Sequence, residues 1–137
     1  MHDDVFCKIV RGEIPCYKLF EDEYVLAFLD ISQVTKGHVL VIPKDHYDNF
    51  LATPQKVMHK VMDIAQRIGQ VLIQMMGAKG VNILTNNFEA AGQTVMHFHV
   101  HVIPRYEESD GFRLEMHDNH EGLNLPAIQE MIKSNLE

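Results

Sequence analysis

Residues 97–104 read His-Phe-His-Val-His-Val-Ile-Pro. Three histidines alternate with apolar residues, and Val102-Ile103-Pro104 closes the segment. Strict alternation is the pattern of a half-buried β-strand, in which residues two apart share a face. His97, His99 and His101 are therefore expected on one face, with Phe98, Val100 and Val102 on the other. Imidazoles titrate close to neutral pH, where they act as acids, bases and nucleophiles. Three of them in register on one strand mark a site. A strand rises about 3.3 Å per residue, so neighbours in the row stand about 6.6 Å apart and the outer pair about 13 Å. Two adjacent rings could converge on one metal ion, but all three could not do so without a bend. Spacing thus favours acid–base or nucleophilic chemistry over one metal shared by the row.

Working outward, the same period-two logic predicts further strands at 17–20, 24–31, 37–43 and 80–86, with the histidine strand over 95–103. Residues 4–11 predict a short helix, capped by Asp3 or Asp4 and stopped by Gly12. Its apolar side is Phe6, Ile9 and Val10. Thr53-Pro54 predicts the start of a long helix, with threonine as cap and proline at the first helical position. Helical spacing of Val57, Val61, Ile64, Ala65, Ile68, Leu72 and Met76 carries it to Gly77. Its methionines read as core or subunit interface. Residues 87–94 form a loop that runs straight into the histidine row. A polar stretch follows Pro104, and a short helix beginning at Asn124 or Leu125 ends the chain. Strands with short turns on either side of one long helix predict an α+β domain on a mostly antiparallel five-stranded sheet. The helix covers one face, and the histidines stand on the other.

The chain has 137 residues, enough for one domain with a core of its own, so residues 1–137 are read as a single domain. Its formal net charge is −7, which argues against binding to DNA, RNA or other nucleic-acid polymers. A small anion remains compatible, because backbone N–H groups hold phosphate without excess lysine. The two cysteines, Cys7 and Cys16, do not form a disulfide framework. No apolar stretch reaches membrane-spanning length, and the acidic Met1-His2-Asp3-Asp4 start is unlike a signal peptide. A cytoplasmic location with no membrane partner is the expectation.

The histidine row, the preceding Gly92-Gln93-Thr94, and the Phe28-Leu29-Asp30-Ile31 and Lys36-Gly37-His38-Val39-Leu40-Val41-Ile42-Pro43 segments together resemble the histidine-triad family of nucleotide hydrolases and transferases. The likeness runs from about residue 5 to residue 106, leaving 107–137 as a tail of open role. The stretch Asp30–His38 is similar to the nucleoside phosphoramidate hydrolase branch. That resemblance implies hydrolysis at the α-phosphate of purine nucleoside phosphoramidates. Alternatives are hydrolysis of dinucleoside polyphosphates, and a nucleotide-binding module with little catalysis.

The resemblance also implies roles. His99 would attack phosphorus and carry a covalent nucleotidyl group, with its other ring nitrogen bonded to a backbone carbonyl near His101. His101 would donate to a phosphate oxygen, and His97 would brace the site with His38 as partner. Asp30 would accept from the ribose hydroxyls. Asn86, Gly92, Gln93 and Thr94 would face the phosphate. Phe6, Ile9, Phe28 and Ile31, with Val5 at the edge, would line the base pocket. A homodimer built on the long helix and the strand before the triad is implied as well. Many bacterial members carry a Cys-x-x-Cys pair that joins two histidines around a structural zinc. Here Asp4 stands at the first cysteine position, leaving Cys7 with His46 and His97. Aspartate also ligates zinc, so Asp4, Cys7, His46 and His97 are the candidate residues for a weakened site. The expectation is that no metal or other cofactor is required.

Overall fold

A computed structural model describes residues 2–136 of the chain. Five strands form one antiparallel sheet: β1 (Lys18–Glu21), β2 (Val25–Leu29), β3 (Val39–Pro43), β4 (Gly80–Leu84) and β5 (Val100–Arg105), in the order β1-β2-β3-β5-β4. Three α-helices accompany it: α1 (Val5–Val10), α2 (Gln55–Met76) and α3 (Leu125–Lys133). The α+β architecture expected from the pattern is the one present. Among the described residues, no helix is long and apolar enough to cross a membrane.

Local chemistry explains the helix ends. The Asp4 carboxylate accepts from the Cys7 N–H at 2.9 Å and caps α1, as the sequence predicts. Helix α2 stops at Gly77, whose φ of 76° lies in the left-handed region that glycine adopts without strain. Its start differs from expectation. The Thr53 hydroxyl donates back to the Asn49 carbonyl at 2.7 Å, so it is turned away from the helix. Pro54 takes the cap position, and α2 begins at Gln55.

The histidine strand also differs. Pairing of β3 with β5 runs Val39↔Val102, Leu40↔His101, Val41↔Val100 and then ends. The next facing pairs would be Ile42 with His99 and Pro43 with Phe98. Proline has no N–H to give to a ladder, and the Pro43 carbonyl instead accepts from His97 Nε2 at 2.9 Å. The Phe98 N–H turns to the Tyr47 carbonyl at 2.6 Å. Residues 95–99 therefore form an irregular segment, and only His101 lies within the strand. At the other end, Pro104 continues β5 opposite Val81 rather than closing it. Its nitrogen faces the β3 side beyond the last β3 pair, so the missing donor leaves no gap there.

The two sheet faces bury two clusters. Val25, Ala27, Val39, Val41, Phe98, Val100 and Val102 pack against Val61, Ile64, Ala65 and Leu72 of α2. On the opposite face, Leu26, Phe28, Leu40 and Ile42 pack with Phe6 of α1. The period-two alternation places Phe98 in the first cluster and the histidines beside the second. Phe98 is fully buried. Truncating it removes a ring from the centre of the larger core. Phe98→Ala is expected to lower unfolding stability by about 3–5 kcal/mol in urea titration, whereas Leu51→Ala, at an exposed position, is expected to change it by less than about 0.5 kcal/mol.

Candidate active site

A cavity of about 320 Å³ opens on the sheet face opposite α2. Its apolar wall comes from α1 and the loop after it, through Phe6, Ile9, Ile14, Pro15 and Cys16, and from Phe28 and Leu40 of the sheet. Its polar wall is Asp30, Asn86, Gly92, Thr94, His99 and His101. The structure thus gathers eleven of the residues singled out in the sequence around one space: Val5, Phe6, Ile9, Phe28, Asp30, Ile31, Asn86, Gly92, Thr94, His99 and His101. Ile31 is largely exposed and sits at the rim. Ile14, Pro15, Cys16, Leu29, Leu40 and Val95 line the cavity without having been predicted.

His99 is buried at the inner end. Its Nδ1 lies 2.7 Å from the His97 carbonyl, so Nδ1 carries the proton and donates. Nε2 is then the nitrogen presented, unprotonated, to the cavity. The accepting carbonyl is that of His97, not one near His101, because residues 97–99 have left the ladder. The Phe6 ring stands edge-on to His99 at 5.0 Å between centroids. Burial pushes the His99 pKa below the ordinary imidazole value, against the His97 carbonyl, which favours the charged form.

His38 and His101 form a second pair. His38 Nε2 lies 2.9 Å from His101 Nδ1 and 3.6 Å from an Asp30 carboxylate oxygen. The partner expected for His38 was His97. Antiparallel pairing decides otherwise, because the start of β3 lies beside β5 and not beside the segment that precedes it. The Val34 N–H donates to His38 Nδ1. That assignment puts the His38 proton on Nε2, from which it donates to His101 Nδ1. His101 is left with an N–H on Nε2, the side that faces the cavity. Desolvation, with His99 and His38 close by, pushes the His101 pKa down to about 4. Burial likewise lowers His38, opposed by Asp30.

Two loops complete the polar wall. Asp30 follows β2, and its Oδ1 accepts from the Ser32 N–H at 2.8 Å, which fixes the carboxylate at the cavity edge. Gly92 has a φ of 101°, a conformation that a side chain would strain. Gln93 is a correction to the sequence reading. It is buried and does not face the cavity. Its Nε2 donates to the Asp48 and Val95 carbonyls at 2.6 and 2.9 Å, and its Oε1 accepts from the Phe88 N–H at 2.8 Å. A side chain that spends every polar atom on backbone groups holds the loop shape, and Gly92 and Thr94 are the residues of this loop segment that line the cavity.

His97 is turned away from the cavity into a separate cluster. Asp4 Oδ2, Cys7 Sγ, His46 Nδ1 and His97 Nδ1 all lie within 4.8 Å of one another. Asp4 Oδ2 is 2.9 Å from His46, 3.2 Å from Cys7 and 3.3 Å from His97; Cys7 Sγ is 3.7 Å from His46 and 3.5 Å from His97. A tetrahedral zinc with bonds of about 2.0–2.3 Å requires ligand atoms about 3.3–3.6 Å apart. The set fits such an ion. The outer nitrogens fit as well: His46 Nε2 faces Asp48 at 2.8 Å, and His97 Nε2 donates to Pro43. Histidines that bind metal commonly donate their second N–H to a carboxylate or carbonyl in this way. Burial by itself raises the Asp4 pKa, but the Cys7 N–H, the Cys7 thiol and His97 together bring it down to about 2. Burial and the Asp4 carboxylate push the Cys7 thiol up to about 11.

Comparison with known proteins places this geometry in context. A model of the HIT domain matches residues 11–108. The protein named Protein hit from Bacillus subtilis is 49% identical over 108 residues, covering 79% of this chain and 74% of that protein. Adenosine 5'-monophosphoramidase HNT1 of Saccharomyces cerevisiae is 40% identical over 107 residues, 78% of this chain and 65% of the yeast protein. The crystal structure of a HIT-family member from Bacillus subtilis superposes with a TM-score of 0.91 at 41% identity over 99% of both chains. That of SMU.412c from Streptococcus mutans also gives 0.91, at 46% identity, over 100% of this chain and 87% of the other.

Proposed function

The chain belongs to the HIT family of nucleotide hydrolases, in its phosphoramidase-like branch, and from that membership we propose that it cleaves the phosphorus–nitrogen bond of purine nucleoside phosphoramidates through a nucleotidyl-histidine. The observation that carries this reading is the His99 ring, fixed by the His97 carbonyl so that one unprotonated nitrogen meets the cavity. In the first step, His99 Nε2 forms a bond to the α-phosphorus, the bond to the leaving nitrogen breaks, and that nitrogen takes a proton from solvent in the cavity to leave as an amine. In the second, water bonds to the phosphorus, the bond to His99 Nε2 breaks, and the proton lost by the water returns to solvent. One hard displacement becomes two easier ones. Because the proton stays on Nδ1 throughout, Nε2 is released ready for the next turnover.

The remaining residues divide the work. His101 donates its Nε2–H to a phosphate oxygen, and His38 keeps that tautomer in place. The Thr94 hydroxyl and the Gly92 backbone meet the phosphate or the leaving atom, with Asn86 alongside. Asp30 accepts from the ribose. Phe6, Ile9 and Phe28 sandwich the base, joined by Ile14, Pro15 and Cys16. The relative from yeast, an adenosine 5'-monophosphoramidase, supports an adenine nucleotide as the first substrate to try. The exposed Ile73 of α2 and Ile83 of the edge strand β4, which border one shallow groove, support a homodimer through that face. Asp4, Cys7, His46 and His97 would hold a structural zinc, which ties α1 to the segment before β5 and takes no part in the chemistry.

Three measurements test these readings. Incubation with adenosine 5'-phosphoramidate is expected to yield the nucleoside monophosphate, and His99→Ala to lower turnover by about a thousandfold or more. Absence of turnover in the parent protein, or its survival in the variant, overturns the assignment. The second concerns pH. His99 acts as the neutral base, and burial lowers its pKa from about 6.5. Activity is therefore kept as pH falls through 6.5 and is lost only below it. The acid limb of kcat/KM, which reports the free enzyme, is expected below pH 6.5; a limb at or above that value refutes the neutral, desolvated nucleophile. Third, elemental analysis of untagged protein is expected to find one zinc per chain, lost in the double variant Asp4→Ala, Cys7→Ser. Metal-free parent protein after dialysis against zinc rules the centre out.

A further inference from the structure

Asp30 and His38 stand at the two ends of one loop, the connection between β2 and β3. The loop is tied within itself. Gln33 Nε2 donates to the Asp30 and His38 carbonyls at 2.5 and 2.8 Å, and Gln33 Oε1 accepts from the Gly37 N–H at 2.8 Å. The Thr35 carbonyl accepts from the His38 N–H at 3.2 Å, and the Val34 N–H donates to His38 Nδ1 at 3.4 Å. This last contact decides which ring nitrogen of His38 carries the proton. Through the 2.9 Å contact between His38 Nε2 and His101 Nδ1, it also decides whether His101 keeps its own N–H on Nε2.

A strap of the same chain, residues 104–111, is laid against this loop. The Pro104 carbonyl accepts from the buried Thr35 hydroxyl at 2.6 Å, and the Tyr106 hydroxyl donates to the Lys36 carbonyl at 2.5 Å. Asp110 fixes the path of the strap. Its carboxylate accepts from the Tyr106 and Glu107 N–H groups at 2.9 and 3.2 Å and pairs with Arg105 at 2.7 Å. That path sets Gly111 directly on Val34. A Cβ at position 111 would stand 2.0 Å from the Val34 carbonyl oxygen and 3.1 Å from its carbon, so any side chain there forces the strap or Val34 to move. The φ of Gly111 lies outside the left-handed region. Close approach to Val34, and not the backbone conformation, is what the missing side chain serves. The residue that Gly111 touches is the one whose N–H meets the His38 ring.

We propose that Gly111 is a positioning residue: packed without a side chain on Val34, it keeps the Val34 N–H on His38 Nδ1 and so keeps the His101 Nε2–H available to the phosphate. The proposal rests on the roles given to His38 and His101 and traces them back to a residue outside the cavity lining. The test substitutes Gly111→Ala in the full chain, with Tyr106→Phe as a milder loosening of the same strap. In the parent, nitrogen NMR of protein labelled at histidine is expected to show the His38 proton on Nε2 and none on Nδ1. Gly111→Ala is expected to give a mixture of both His38 tautomers. It is also expected to lower kcat on adenosine 5'-phosphoramidate about tenfold or more, with KM within about twofold of the parent. Tyr106→Phe is expected to move both readouts in the same direction by a smaller amount. A folded Gly111→Ala that keeps the parental tautomer or the parental kcat overturns the proposal, as does a parent with its His38 proton on Nδ1. If Gly111→Ala does not fold, Tyr106→Phe decides, and unchanged readouts there overturn it. A parent without turnover refutes the phosphoramidase reading instead, and the His38 tautomer then still tests the strap.

Discussion

The hydrogen bond from His99 Nδ1 to the His97 carbonyl is the contact on which the site depends. In a continuing ladder that carbonyl would be committed to a neighbouring strand. It is available because the sheet stops in time. On one side Pro43 has no N–H to extend pairing past Val100; on the other, β4 ends at Leu84 opposite His101, and the Thr85 hydroxyl donates to the His99 carbonyl at 2.8 Å. The same interruption lets the His97 ring turn to Asp4 and Cys7 while His99 and His101 face the cavity. One proline, remote in sequence from the histidines, separates a row of three into two kinds of work.

Much of this was legible in the residues. Period-two alternation put Phe98, Val100 and Val102 into the core and the histidines on the opposite face, because burial on one side of a sheet leaves little freedom of register. Asp30, Asn86, Gly92 and Thr94 lie at strand ends or in short loops, where local pattern speaks clearly. What escaped was non-local. The partner of His38 follows from β3 running antiparallel to β5, and recognising that pairing from the two hydrophobic runs would have placed His38 beside His101. Gln93 has the composition of a ligand-binding residue, yet its atoms are consumed by the backbone of a loop whose path no spacing rule describes. Ile14, Pro15 and Cys16 join the cavity only because α1 folds across the second sheet face.

The electrostatics suit an anion without a cationic cradle. Among the described residues lining the cavity there is no lysine or arginine. Neutral N–H and O–H donors, held by the fold, replace them, and donors that are already oriented need no rearrangement when charge develops. Burial favours the uncharged forms of His99 and His101, which leaves a lone pair on His99 and a directed N–H on His101. A chain of net charge −7 can therefore still present a phosphate-compatible cavity.

The smaller apolar cluster has a further meaning. Phe6, Phe28 and Leu40 belong at once to the core and to the cavity wall. A flat apolar ligand entering there would act as an extra core side chain, supplied from solution. The stability of the face opposite α2 is then linked to ligand binding through mass action. Helix α1, only six residues long, supplies Phe6 to both and is the element whose packing such a ligand would reinforce.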